Sequence, residues 1–242
     1  MTEFKAVYFD RDGTISRKHK GNAELKNQYI RKILNDQSFS VDSNTQWDAM
    51  CAVAEKYPEL NIMENKIRTI SEEERFWKLV HEEILRVANY SGDIQEAAVR
   101  IIQEFSYELM FEPFTETELV FKSLKAHGVK IGIISDTSPS LERTIEAMGL
   151  SKYVDAVVSS SEVGVFKPDP KVYNTALDKL GLTAEECIYI DDYDVESDGA
   201  RELGFVSFNI KRGQKVNKKN WEIEDLREVL DYMCVAYEYD EY

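Results

Sequence analysis

Residues Val129–Leu150 read VKIGIISDTSPSLERTIEAMGL. The apolar run Val129–Ser135 ends in an acidic, turn-forming group, and a helical pattern over Pro139–Met148 follows and stops at Gly149, a residue suited to the left-handed backbone beyond a helix end. The same unit recurs downstream. Asp155–Ser160 leads to a helical pattern over Pro170–Leu180 closed by Gly181, and Cys187–Asp191 to one over Val195–Leu203 closed by Gly204, before a last apolar run at Phe205–Ile210. Short, continuously apolar runs suit strands buried on both faces, so the βαβα alternation predicts an α/β fold built on a doubly wound parallel sheet.

A further strand, Phe4–Phe9, lies more than a hundred residues before this series. The intervening stretch has helical rather than strand periodicity. Phe76, Leu79, Val80, Ile84 and Val87 mark one face, Ile94, Ala98, Ile101, Phe105 and Leu109 another, with weaker patterns near 23–34 and 45–57. The simplest organisation is a helical insert over 16–112 in an α/β core made of 1–15 and 113–242.

At 242 residues, 43% hydrophobic and 31% charged, the chain is long enough to bury a core without disulfide or metal staples. Its formal charge of -15 repels the phosphate backbone of nucleic acid and anionic membrane surfaces, so neither is an expected partner. An anionic small molecule would need a local cluster of cations, which screening over roughly 8 Å permits. Cys51, Cys187 and Cys234 are odd in number and widely spaced, which predicts reduced core thiols. With no signal-peptide pattern and no apolar run of about 18 residues, the expected location is cytoplasmic.

In open α/β sheets ligands bind beyond the carboxyl ends of the strands, near the switch point in strand order. Those ends carry Asp10-Arg11-Asp12-Gly13-Thr14, Ser135-Asp136-Thr137, Lys167-Pro168-Asp169-Pro170 and Asp191-Asp192. Carboxylates that converge raise each other's pKa unless a cation sits among them. A hard divalent ion such as Mg²⁺, bound by one or two carboxylates and a substrate phosphate, answers that requirement; Asp10 and Asp191 are candidate ligands, and Ser135 and Lys167 suit phosphate oxygens.

Taken in order, these four segments resemble the motifs of the haloacid dehalogenase-like hydrolase superfamily. YFDRDGT at Tyr8–Thr14 is the most specific, and Gly164-Val-Phe-Lys167-Pro-Asp-Pro170 with Tyr173, Ala176, Leu180 and Gly181 follows the pattern GxxKPxPxxYxxAxxxLG. The resemblance covers about Phe4–Ile15 and Pro113–Ile210 and implies a Rossmann-like core. It implies Asp10 as nucleophile forming an aspartyl-phosphate, Asp12 as general acid/base lending a backbone carbonyl to Mg²⁺, and Thr14 orienting the pair. It also implies Lys167 as phosphoryl ligand, Asp191 as metal ligand and Asp192 as its supporter. Two positions depart from the family pattern: Asp136 stands where Asn is usual, adding a negative charge, and Glu196 stands where relatives often have Asn or Asp, leaving it an outer role. The helical insert is similar to the family's cap of the first type, which closes over the site and selects the leaving group.

The expected activity is a Mg²⁺-dependent phosphatase acting on a small phosphorylated metabolite. A sugar phosphomutase shares Asp10 and Asp12. A dehalogenase does not require Asp12, and a phosphonate hydrolase needs a cap lysine, for which Lys18, Lys20 and Lys26 are available. A non-catalytic binding protein is the remaining alternative. Seen singly, Lys167 reads as a surface lysine, Ser135 as a cap hydroxyl, and DxDGT as a turn. His19, His81 and His127 lack metal spacing; the Arg17–Lys20 run reads as a solvated loop; Trp47, Phe76, Trp77 and Phe105 read as core more readily than as a pocket lining. Gly13 suits a tight turn that a side chain would obstruct.

Overall fold

The computed structural model describes residues 4–105 and 110–238. In chain order, β1 (Ala6–Phe9) and β2 (Ser16–Lys18) precede four helices, α1 (Asn22–Leu34), α2 (Ser43–Lys56), α3 (Ile70–Val87) and α4 (Ile94–Glu104). Next come β3 (Phe111–Pro113), α5 (Thr117–Ala126), β4 (Lys130–Ser135), α6 (Leu141–Ala147), β5 (Ala156–Ser159), α7 (Ser160–Val163) and α8 (Pro170–Leu180). The chain continues with β6 (Cys187–Asp191), α9 (Asp194–Glu202), β7 (Val206–Ile210), β8 (Glu222–Ile223) and α10 (Arg227–Met233). Contacts divide it into two units, one of Met1–Arg17, Phe111–Thr137 and Leu141–Tyr242, the other of Lys18–Met110 with Ser138–Ser140.

The first unit is built on a parallel sheet in the order β5-β4-β1-β6-β7-β8. Phe9 of β1 pairs with Ile133 on one side and Ile190 on the other, so β1 lies centrally and its carboxyl end opens between β4 and β6. Side chains alternate across the sheet. Val7, Phe9, Ile131, Ile133, Ile188 and Ile190 pack on α5, α6 and α10, whereas Ala6, Tyr8, Cys187 and Tyr189 face α8. Burial on both faces explains the continuous apolar runs. Of the helices, α8 is locally the best specified: Asp169 caps its start by accepting from Lys171 N at 2.9 Å, Pro170 occupies the first turn, and Gly181 closes it in left-handed backbone.

Three helices, α5, the single-turn α7 and α10, and the short strands β2, β3 and β8 go beyond the sequence-based expectation. The α5 pattern, Val120, Phe121 and Leu124 on one face, is short and flanked by polar residues, and tertiary burial decides it.

The second unit is helical. Three of its four helices, α2, α4 and α3, start on side-chain caps: Asp42 accepts from Thr45 N, Asp93 from Glu96 N, and Thr69 with Glu72 forms a reciprocal capping box. Phe76, Val80, Ile84, Ala98 and Ile101 are buried, as their periodicity predicts; Phe105 is buried just beyond α4, and Leu109 lies outside the described residues. Trp47, by contrast, is exposed. Lys26 and His81 are both buried, although neither has the profile of a core residue. Ser138–Ser140 belongs to this unit because buried Glu73 accepts from Ser138 Oγ at 2.6 Å, Ser140 N at 2.9 Å and Ser140 Oγ at 2.9 Å.

The cysteines are free, but only Cys187 is a core thiol; Cys51 is half-buried and Cys234 exposed at the end of α10. Among the described residues no helix is long and apolar enough to cross a membrane.

Candidate active site

Period-two alternation places Tyr8 and Asp10 on one face of β1 and its extension, and Tyr189 and Asp191 on the same face of neighbouring β6. Asp10 N donates to Ile190 O at 2.9 Å, which carries the sheet ladder one residue past β1 and holds the aspartate against β6. Lys167 reaches the same point from the loop between α7 and α8. Its Nζ donates to Asp10 Oδ1 at 2.9 Å, Asp191 Oδ2 at 2.8 Å and Tyr189 Oη at 3.1 Å, and lies 2.5 Å from Glu196 Oε2. The Lys167 side chain is 1% exposed, so this is a desolvated cluster and not a surface ion pair.

Three carboxylates therefore surround one ammonium. Burial, with the Asp191 charge nearby and only partial relief from Lys167, pushes the Asp10 carboxyl up to about 7 and that of Glu196 up to about 8. Burial opposes the charge on Lys167, but the surrounding carboxylates outweigh it and hold the ammonium well above its ordinary value. Asp10, Asp191 and Glu196 each offer an oxygen within 4.8 Å of the others, an all-oxygen donor set of the kind hard divalent cations take. Glu196, given only an outer role from its sequence position, stands inside the cluster.

The other expected site residues are distributed around this centre. Asp136 Oδ1 accepts from Lys167 N at 3.1 Å, so the aspartate keeps the acceptor that an asparagine would supply, while burial raises its pKa against the pull of Lys167. Ser135 is buried at the end of β4. Thr14 Oγ1 is buried with no partner among the described residues, so its hydroxyl makes no bond that would orient Asp10 and Asp12. Asp12 is outside the carboxylate cluster: Arg11 Nε and Nη2 hold its two oxygens at 3.0 and 2.9 Å, and its side chain is 49% exposed. Arg11 in turn lies 4.4 Å over the Phe111 ring. Asp192 is half-buried beside Gly13, with burial and then Asp191 raising its carboxyl to about 6.

Two supporting residues were not expected. Tyr189 carries no motif signal; its position two residues before Asp191 on a buried strand is the only indication. Arg212, within the basic run Lys211–Lys219, donates from Nε to Gly13 O at 3.0 Å and from Nη2 to Thr14 O, pairs with Glu116 and lies 3.6 Å over the Phe114 ring. It thereby fixes the turn that follows Asp10. The solvated-loop reading of Arg17–Lys20 also needs amendment at its first two residues, which lie in β2, and Arg17 pairs with Glu112 at 2.8 Å.

The model of a haloacid dehalogenase-like hydrolase family matches residues 4–204, which includes all of these strand ends. The chain belongs to this family. It is 32% identical over 130 residues to a glyceraldehyde 3-phosphate phosphatase of Methanocaldococcus jannaschii, covering 50% of this chain and 57% of that protein. It is also 32% identical over 134 residues to an (S)-2-haloacid dehalogenase of Pseudomonas sp. strain YL, covering 53% and 58%. The matches thus span a little over half the length of these curated relatives. Among solved structures, a 2-haloacid dehalogenase from Pseudomonas syringae pv. Tomato superposes with a TM-score of 0.69 at 19% identity, covering 96% of this chain and 98% of that one, a likeness of fold.

Proposed function

We propose that this hydrolase is a Mg²⁺-dependent phosphatase of a small phosphorylated metabolite, acting through an aspartyl-phosphate on Asp10. The observation that carries the reading is the position of Lys167 Nζ between Asp10 and Asp191, with Glu196 completing an all-oxygen cluster. An Asp10 oxygen attacks phosphorus, the new O–P bond forms as the ester P–O bond breaks, and the leaving oxygen takes a proton from Asp12. Water then attacks phosphorus and gives a proton to Asp12; phosphate leaves and the Asp10 carboxylate returns. Lys167 holds the phosphoryl oxygens, with Ser135 and Thr14 as hydroxyl donors, and Asp136 fixes the Lys167 backbone. Asp10, Asp191 and the Asp12 carbonyl would hold Mg²⁺, with Glu196 beside them and Asp192 in support; bound there, the ion supplies positive charge for the transferring phosphoryl group. Arg11, held over the Phe111 ring, orients the Asp12 carboxyl group.

In this reading 16–112 is the cap and 1–15 with 113–242 the catalytic core. Phosphate release from a panel of metabolite phosphates, with and without Mg²⁺, tests the proposal. Release that needs Mg²⁺ and is lost in Asp10→Asn is expected; no release from any member, or unchanged release in Asp10→Asn, overturns it.

A second reading, phosphonate hydrolysis through a Schiff base, has one observation in its favour. Lys26 is buried, donates to Gln46 Oε1 at 2.8 Å, and is lowered by burial to about 8, so part of it is the free amine near neutral pH. Asp12 favours phosphate esters instead. Borohydride trapping with an aldehyde substrate separates the two, because only an imine at Lys26 leaves a reduced adduct.

A further inference from the structure

Tyr189 has no part in the reaction as proposed, yet its hydroxyl sits where two functional groups meet. It donates to Asp191 Oδ2 and accepts from Lys167 Nζ at 3.1 Å, while Lys167 Nζ donates to the same Asp191 oxygen at 2.8 Å. Hydroxyl, ammonium and carboxylate close a ring of three hydrogen bonds. Tyr189 and Asp191 are both 0% exposed, so no water competes for these bonds. The phenol is also held from behind: the Tyr173 ring meets it edge-on at 5.3 Å and the Phe205 ring lies at 6.2 Å.

We infer that Tyr189 is a positioning residue that sets the Asp191 carboxylate for cation binding and keeps Lys167 from monopolising it; the inference rests on the metal-dependent reading above. The other oxygen of Asp191, Oδ1, accepts from Tyr193 N at 2.9 Å, so the carboxylate is pinned at both ends. Around Lys167 stand three carboxyl acceptors and one hydroxyl acceptor, that of Tyr189. Deleting that hydroxyl removes a donor that fixes Asp191 and leaves the ammonium shared among carboxylates alone. Its hold on Asp191 then tightens. Both changes disfavour a cation at Asp191, and loss of a partner that orients a metal ligand typically weakens metal affinity about 10–100-fold.

Tyr189→Phe tests this, with Tyr8→Phe as a matched control. Tyr8 is also a buried tyrosine two residues before a site aspartate, but its hydroxyl donates to Ala176 O at 2.8 Å, outside the cluster. Calorimetric titration of the full chain with Mg²⁺, without substrate, is expected to give a Kd about tenfold or more higher for Tyr189→Phe and an unchanged Kd for Tyr8→Phe. Thermal midpoints of the two variants should fall by similar amounts, and raising Mg²⁺ should recover the hydrolysis lost in Tyr189→Phe. A folded Tyr189→Phe with wild-type Mg²⁺ affinity overturns the inference alone. An unfolded Tyr189→Phe beside a folded Tyr8→Phe makes the hydroxyl a requirement of folding and overturns it too. A wild-type chain that binds no Mg²⁺ overturns the functional reading and this inference together.

Discussion

Gly13 and Asp192, on adjacent strand-end loops, approach so closely that a Cβ on Gly13 would lie 2.1 Å from Asp192 Oδ2. Gly13 also has φ +79°, which costs an L-residue with a side chain about 1–2 kcal/mol. Gly13→Ala therefore strains the turn and displaces Asp192 at once. The expected result is a lower thermal midpoint and a large loss of hydrolysis. Adding Asp192→Ala removes the clash and leaves only the backbone strain, so the double variant should be more stable than the sum of the two single changes. Strict additivity would show that the contact is not what requires glycine.

The metal-free protein should lose stability as pH rises from about 6.5 to 8. Asp10 at about 7 and Glu196 at about 8 are raised above their unfolded values, so the folded chain binds more protons than the unfolded one and stability falls as pH rises through this range. Below about pH 6.5 the trend is masked, because buried His81, lowered well below its ordinary value by burial and by Lys26, works in the opposite direction. Above pH 8 the fall levels off, because Lys26, lowered by burial to about 8, works in the opposite direction, while Cys187, raised by burial to about 12, offsets it from about pH 9. Thermal melts in EDTA from pH 6.5 to 8 check the fall, and Mg²⁺ should raise the midpoint more at pH 8 than at pH 6.5. A midpoint that climbs steadily from pH 6.5 to 8 contradicts the carboxylate cluster.

How much of this was legible in the sequence follows from how local each signal is. The strands and the helices after them were readable because burial on both faces writes itself as a continuous apolar run, and Asp10, Lys167 and Asp191 because strand-end carboxylates and an ammonium have few other reasons to recur in that order. Tyr189 was invisible: in a buried strand a tyrosine reads as packing, and its role exists only because Lys167 arrives from a different loop. Glu196 had the right position but an unusual side chain, longer than the family's Asn or Asp, and that length brings it to Lys167 from α9. Arg212 lies in the basic run Lys211–Lys219, where nothing local sets it apart, although it grips two carbonyls nearly two hundred residues away. Arg11 and Asp12 are adjacent in the chain, yet their pairing depends on the Phe111 ring that backs the guanidinium.

Asp136→Asn should keep the hydrogen bond that positions Lys167 N and remove a buried negative charge. Burial raises the Asp136 pKa, so its ionised form is the penalised one, and the folded chain gains nothing from that charge at high pH. The variant should approach wild type as pH falls below the ordinary aspartate value, where the carboxyl is protonated in the folded and unfolded chain alike, and exceed it modestly in thermal midpoint at pH 8. Asp136→Ala loses the acceptor for Lys167 N as well and should cost about 1 kcal/mol. Equal losses from Asn and Ala would mean that the charge, not the acceptor, is what Lys167 uses.

Lys26→Met should stabilise the helical unit. Lys26 donates to Gln46 Oε1 and lies 5.9 Å from the Phe105 ring, and burial lowers its pKa to about 8 from an ordinary 10.5. A lysine depressed in the folded state binds a proton more weakly there than in the unfolded chain, so stability is withheld below pH 8 and regained as pH rises toward 10.5. At 1.36 kcal/mol per pKa unit the penalty at pH 7 is about 3 kcal/mol at most, and leaving Gln46 Oε1 without its donor returns about 1 kcal/mol of it. The net expectation is a gain of about 2 kcal/mol at pH 7, a rise of several degrees in thermal midpoint. The advantage should shrink to nothing as pH approaches 10.5, where wild-type Lys26 is neutral in the folded state and only half protonated in the unfolded one. Melts of the two proteins across that range decide it: a variant destabilised at pH 7, or a difference independent of pH, would mean that the buried ammonium is not an uncompensated charge.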